Sequence, residues 1–119
     1  MTEYNFEKLE VYQKAMDLAE AIYKLTDKFP SNEQFGIISQ LRRAALSIPL
    51  NISEGKGRYH TKIFLQFLYQ ARGSLYEVIT LLKLSLRLHY LTQDKAQGLL
   101  QMSDKISLQL SNLINSMKE

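Results

Sequence analysis

An all-α fold, an antiparallel up-down-up-down four-helix bundle, is what this chain predicts, and three features predict it. Apolar residues recur every three or four positions almost throughout, strand-like alternation is nearly absent, and the breaks between periodic segments are only a few residues long. The 119 residues form one domain, 1–119, long enough for one hydrophobic core and too short for two. With 45% hydrophobic and 23% charged residues, the composition is that of a folded globular chain rather than a disordered one.

The first segment carries two neighbouring stripes, Leu9, Tyr12, Met16, Ala19 and Tyr23 beside Ala15, Leu18, Ile22, Leu25 and Phe29. A face that wide buries more than one neighbour requires. Pro30 closes the helix, because the residue before a proline is pushed out of helical space. Ser31 with Gln34 three residues on gives a capping-box pattern for the second helix. That helix is marked by Ile38, Leu41, Ala45, Ile48 and Ile52, and Pro49 inside it predicts a kink near Ala45 to Pro49 rather than a break. Gly55 and Gly57 are expected to end it through a left-handed exit.

Thr61 is the expected cap of the third helix, whose stripe is Phe64, Leu68, Ala71, Leu75, Val78 and Leu82. Gly73 within it suggests close packing against a neighbour. Thr92 or Asp94 caps the fourth, with Leu99, Met102, Ile106, Leu110, Leu113 and Met117 facing inward. Beyond the third helix's main stripe, Leu65, Ile79 and Leu86 form a further apolar line near Tyr69 and Tyr76, and extra apolar faces on a small bundle are either an outer layer of core or an oligomer interface.

Several functional classes drop out. The chain has no cysteine, so disulfides and thiolate metal sites are excluded. The stretch "MTEYNFEKLE" has no basic region leading into an apolar one, and no apolar run reaches the length of a membrane span, so a cytoplasmic protein without a membrane partner is expected. His60 and His89 stand at opposite ends of the third helix and no Glu-x-x-His pair exists, so neither a metal nor another cofactor is expected. No serine has a base at a motif spacing, and "NISEGKGR" lacks P-loop spacing and follows a helix. The expectation is a protein that is not an enzyme. Asn51, Ser53 and Glu54 have no histidine beside them to make an acid–base set and are read as satisfying backbone groups freed by Pro49 and by the helix end.

Charge is unevenly spread. Residues 1–39 carry four Lys against seven Asp or Glu, whereas residues 40–90 carry eight Lys or Arg against Glu54 and Glu77 alone. The basic cluster comprises Arg42 and Arg43, then Lys56, Arg58, His60 and Lys62 around a turn, with Tyr59 placed to stack on a base. Two readings stay open: phosphate contact with RNA or DNA, or a solvated loop plus arginines engaged in salt bridges. The hairpin register brings Arg43 near Glu77, so an Arg43–Glu77 ion pair between helices two and three is expected.

The stretches "FEKLEVYQKA", "FPSNEQFG", "SQLRRAALSIPLNISEG" and "FLQFLYQARGSLYEV" together resemble the bacterial four-helix-bundle or 23S rRNA intervening-sequence proteins, a family that also includes the accessory variability determinant of diversity-generating retroelements. The resemblance runs over almost the whole chain. It implies a compact bundle assembled as a homopentamer, with no established enzymatic activity. It also implies nucleic acid, and in the retroelement branch a reverse transcriptase, as partners. On that reading Lys56, Arg58 and Lys62 contact phosphate, with Arg42 and Arg43 behind them. The alternative is a protein–protein assembly module without nucleic-acid binding.

Overall fold

Four helices carry the chain: α1 (Glu10–Thr26), α2 (Ile37–Lys56), α3 (Thr61–Arg87) and α4 (Gln93–Lys118), with single 3-10 turns at Asn5–Lys8 and Ser31–Glu33. The structure is a computed structural model and describes residues 2–58 and 60–118, among which there is no strand. Short connections make each helix antiparallel to the next, so the up-down-up-down four-helix bundle expected from the spacing is the fold. At about 1.5 Å per residue α3 is about 40 Å long, which accounts for the molecule's 43 Å long dimension. Of the four neighbouring helix pairs, α2–α3 is in the most extensive contact and α1–α4 in the least.

The core follows the apolar periodicity most closely on α2 and α3. Leu41, Ala45, Ile48 and Ile52 of α2 and Leu68, Ala71, Leu75, Val78 and Leu82 of α3 are fully buried. On α4, Leu99, Ile106 and Leu110 are buried as the spacing indicates, while Met102, Leu113 and Met117 are half-buried; Ala96, Ser103 and Ile114 share the inward face. On α1 the two stripes part company. Ala15, Leu18 and Ile22, with Phe29 just beyond the helix, enter the core; of the other stripe Ala19 is buried and Leu9 and Tyr12 are half-buried, whereas Met16 and Tyr23 are exposed. Helix α2 runs through Pro49 without a break. Asn51 donates Nδ2 to the Ser47 carbonyl at 2.8 Å and Ser53 donates to the Leu50 carbonyl at 3.0 Å. The carbonyl that proline deprives of a donor is that of Ala45, four residues back, so Asn51 does not replace the lost bond.

The glycines behave differently from expectation. No described glycine has positive φ, and α2 runs on to Lys56 with Gly57 still in the right-handed region. Gly55 lies buried inside the helix, where a Cβ would stand 2.6 Å from Phe67 Cβ and 2.9 Å from Phe64 Cδ1. Its missing side chain lets α2 and α3 close on each other just before their turn. Gly73, expected to pack closely, faces open space instead.

The caps are displaced as well. Helix α2 begins only at Ile37 after Gly36, and its Ile37 N–H donates to Glu33 Oε1 at 3.4 Å, so the Ser31–Gln34 capping box is not formed. His60, not Thr61, is the cap residue of α3, without a side-chain bond. Thr92 does cap α4, accepting the Lys95 N–H at 3.3 Å. Helix α3 ends with His89 at φ 63. There the Tyr90 N–H donates to Ser85 O and the His89 N–H to Leu86 O, a Schellman closure that usually recruits glycine.

One latch joins the two turns at this end. Tyr90 donates its hydroxyl to Glu33 Oε2 at 2.7 Å, and its ring packs on Phe29 at 5.5 Å between centroids. Donation to the Glu33 carboxylate, then burial, then repulsion from the same charge raise the Tyr90 pKa above that of a free phenol. Because the folded pKa exceeds the unfolded one, the latch contributes fully below about pH 10 and is lost as pH rises through the raised value. Tyr90→Phe is therefore expected to melt below the wild type near neutral pH, with the gap closing at strongly alkaline pH. A gap that persists unchanged to the alkaline limit rules this latch out.

Candidate partner surfaces

The basic cluster read from the sequence is split by the fold. Arg42 sits at the α1 end of α2 and is fully engaged. Its Nε donates to Thr26 Oγ1 at 2.9 Å, its Nη2 to Asp27 Oδ1 at 2.9 Å and to the Tyr23 carbonyl at 3.3 Å, and the guanidinium lies 4.6 Å above the Tyr23 ring. Thr26 is buried and passes its own proton to the Ile22 carbonyl. This arginine is a staple between α1 and α2.

Arg43, next to it, is exposed. Ion pairs among the described residues join Lys14 to Glu10, Lys24 to Glu20, Arg42 to Asp27 and Arg58 to Glu54, and the expected Arg43–Glu77 pair is not formed. The helix register behind that expectation does hold. Ser74 donates to Ser47 Oγ at 2.8 Å, and equal rise along both helices then sets Arg43 across from Val78, next to Glu77. The serine pair occupies the space between the helices, while Arg43 and Glu77 stand in solvent, where an ion pair gains little over hydration.

Lys56, Arg58, His60 and Lys62 gather at the α2–α3 turn, about 20 Å along α2 from Arg43 at 1.5 Å per residue. Lys56 lies over the Phe64 ring at 5.6 Å, and Arg58 over the Phe67 ring at 5.6 Å while pairing with Glu54 at 3.5 Å. These contacts fix the side-chain stems and leave both charged groups at the surface. Lys62 is exposed and enters none of the ion pairs. Tyr59, assigned a stacking role from the sequence, lies outside the described residues.

Two features were legible only in part, the surplus on α1 being readable and the exposure of Phe35, Leu46 and Leu50 not. The first is an apolar surface across α1 and α2, formed by Met16 (44% exposed), Tyr23 (37%), Leu46 (38%), Leu50 (60%) and, in the turn beyond, Phe35 at 96%. Tyr23, Phe35 and Leu46 border a shallow groove of about 410 Å³ that also reaches Arg42 and Arg43. A phenylalanine almost wholly in water is unfavourable by the full transfer cost of its ring, about 2 kcal/mol, unless something covers it. The second is Tyr69, whose ring has two cations over it, Arg72 at 5.0 Å and Lys118 of α4 at 5.7 Å. The signal was present: Tyr69 and Arg72 stand three apart on a helix and so share a face.

Among the described residues no group of His, Cys, Asp and Glu is arranged to hold a metal ion, and no helix is long and apolar enough to cross a membrane. The buried hydroxyls of Thr26, Ser85 and Ser103 each bond a carbonyl of their own helix.

The family model described as 23S rRNA-intervening sequence protein matches residues 7–112. Among solved structures, the chain is similar to a protein of unknown function from the S23 ribosomal protein family of Bacteroides thetaiotaomicron. The two share 25% identity and a TM-score of 0.79, over 87% of this chain and 97% of that one. No curated protein matches the chain.

Proposed function

The chain belongs to the 23S rRNA-intervening sequence protein family, and from that premise we propose a non-enzymatic, self-associating scaffold of the bacterial cytoplasm that holds RNA. The observation that carries self-association is the exposed α1–α2 surface, Phe35 above all. Copies that cover it recover the transfer free energy of these side chains, and the sequence's resemblance to ring-forming relatives makes five the proposed number of subunits. Support for RNA is the cationic α2–α3 turn, where Lys56 and Lys62 are exposed and outside any ion pair among the described residues, and Arg58, paired with Glu54, is exposed beside them. Repetition around a ring multiplies individually weak contacts. Resemblance to the retroelement accessory determinant extends the proposal to DNA and to a reverse transcriptase as further partners.

A second reading, an assembly module without nucleic acid, draws on Arg42 and Arg58, two arginines of the cluster already paired within the subunit. The non-enzymatic part of the proposal rests on the resemblance, which carries no established enzymatic activity. Mutual hydrogen bonding raises Lys24 and lowers Glu20 in an exposed pair, and Tyr90 serves the turn latch. None of these is a convergent catalytic set.

Light-scattering mass, with and without a structured RNA at low and moderate salt, tests the proposal. A mass near five subunits that rises with RNA only at low salt is the expected result. An oligomer indifferent to RNA at both salts leaves the assembly module, and a monomer overturns the scaffold.

A further inference from the structure

Helix α3 carries a second basic surface that the turn does not include. At about 100° per residue, Lys62, Tyr69, Arg72, Tyr76, Lys83 and Arg87 fall within about 80° of one another. Stepping along this edge in threes and fours meets only Leu65 and Thr80 besides. The edge lies about 120° round the helix from the buried stripe, and Lys62, Tyr76, Lys83 and Arg87 on it are exposed. None of its four cations enters an ion pair among the described residues. Glu77, the single acid of α3, points elsewhere, about 100° from Tyr76. From α4, Lys118 joins the edge over the Tyr69 ring. The antiparallel α3–α4 register that sets Lys118 over Tyr69 places Asp104 level with Lys83, and among the described residues Asp104 pairs with none of these cations.

Cations interleaved with aromatic rings along one line suit an unpaired strand. The charges follow a single sugar–phosphate backbone, and a ring such as Tyr76, 51% exposed, offers a π face to a splayed base that a duplex keeps stacked away. The run from Lys62 to Arg87 is about 37 Å at 1.5 Å per residue, room for a segment of several nucleotides. We propose that this edge of α3 binds single-stranded RNA, with Lys62, Arg72, Lys83 and Arg87 on phosphates and Tyr76 stacked on a base. The inference rests on the nucleic-acid part of the function proposed above and locates it on the helix flank rather than at the turn alone.

Fluorescence anisotropy of a labelled 20-nucleotide oligouridine, against a 20-base-pair RNA duplex, tests it on the intact protein. Arg72→Gln/Lys83→Gln is expected to reduce the salt slope of log K by about 1.4, some 0.7 for each phosphate of a single strand that is no longer neutralised. Tyr76→Leu is expected to weaken oligouridine about tenfold with the salt slope kept, the signature of a base deprived of its stacking ring. Lys56→Gln/Arg58→Gln serves as the comparison at the turn, and scattering mass confirms that each variant keeps its assembly. If the wild type binds neither RNA at low salt, the functional proposal falls and this one with it. If it binds and only the turn variant is impaired, the RNA reading stands and the α3 edge is wrong. Tighter binding of the duplex than of oligouridine overturns the single-strand assignment.

Discussion

Gly55→Val is expected to lower stability by about 3 kcal/mol, the upper end for overpacking a well-packed site. At roughly 2.1 cal/mol/K of unfolding entropy per residue, that is a fall in melting temperature of about 12 °C for a chain of this length. The cause is geometric. A Cβ at this position would sit 2.6 Å from Phe67 Cβ, and valine adds two further carbons toward a region where Phe64 already approaches at 2.9 Å. The nearer obstacle is not the far end of a flexible chain, because Phe67 Cβ is fixed to the α3 backbone. Helix propensity works in the opposite sense, since valine is a better helix former than glycine, so a loss isolates the clash. Gly73→Ala is the control: nothing lies within 4 Å of its Cβ position, and the substitution is expected to raise stability by about 1 kcal/mol. Both belong at one protein concentration, because a self-associating fold melts higher when concentrated. Equal melting of Gly55→Val and wild type sinks the close-approach assignment.

These two glycines show where sequence reading reaches its limit. Core positions on α2 and α3 are legible because burial repeats with the helix period, and Leu41, Ile48, Leu68 and Leu75 all stand at zero exposure. A glycine carries no such periodic signal. It marks a left-handed turn, a close approach or a plain surface position, and only the neighbouring helix decides which. Gly55 reads as a terminator in the sequence and is a packing contact in the fold, while Gly73 reads as a packing contact and is open. At the end of α3 the left-handed residue is His89, which no glycine-based rule finds. The wide apolar face of α1 is legible as a surplus, yet which of its residues stay exposed, Met16 and Tyr23, depends on where α2 and α4 lie.

Charges are legible as a count and misleading as a group. Arg42 to Lys62 looks like one cluster along the chain, but the staple at Arg42 and the turn at Lys56 are separated by most of a helix. The α3 edge shows the reverse: Lys62, Arg72, Lys83 and Arg87 are ten or so residues apart in part, and the helix brings them onto one line. Lys118, last in α4, reaches Tyr69 only through the antiparallel α3–α4 packing.

The staple makes the second large prediction. Arg42→Leu keeps the apolar stem and removes the guanidinium, and about 2 kcal/mol of stability is expected to go with it. Several small terms add up to that figure. The bond to Thr26 is charge-assisted and half-shielded, with Arg42 only 24% exposed; the Tyr23 ring contributes about 0.5–1 kcal/mol as a cation–π partner. The Asp27 pair adds little, since Asp27 is 76% exposed and such a charge is well solvated alone. Thr26 keeps its bond to the Ile22 carbonyl, so no buried hydroxyl is orphaned and the loss stays below the range for a broken buried network. Arg42→Lys restores the charge without the planar fork and is expected to recover less than half. Thermal unfolding of the three proteins measures this, and RNA affinity of Arg42→Leu distinguishes the roles. With the guanidinium spent inside the subunit, that affinity is expected to match the wild type. A variant that melts normally but loses RNA makes Arg42 a phosphate ligand and not a staple.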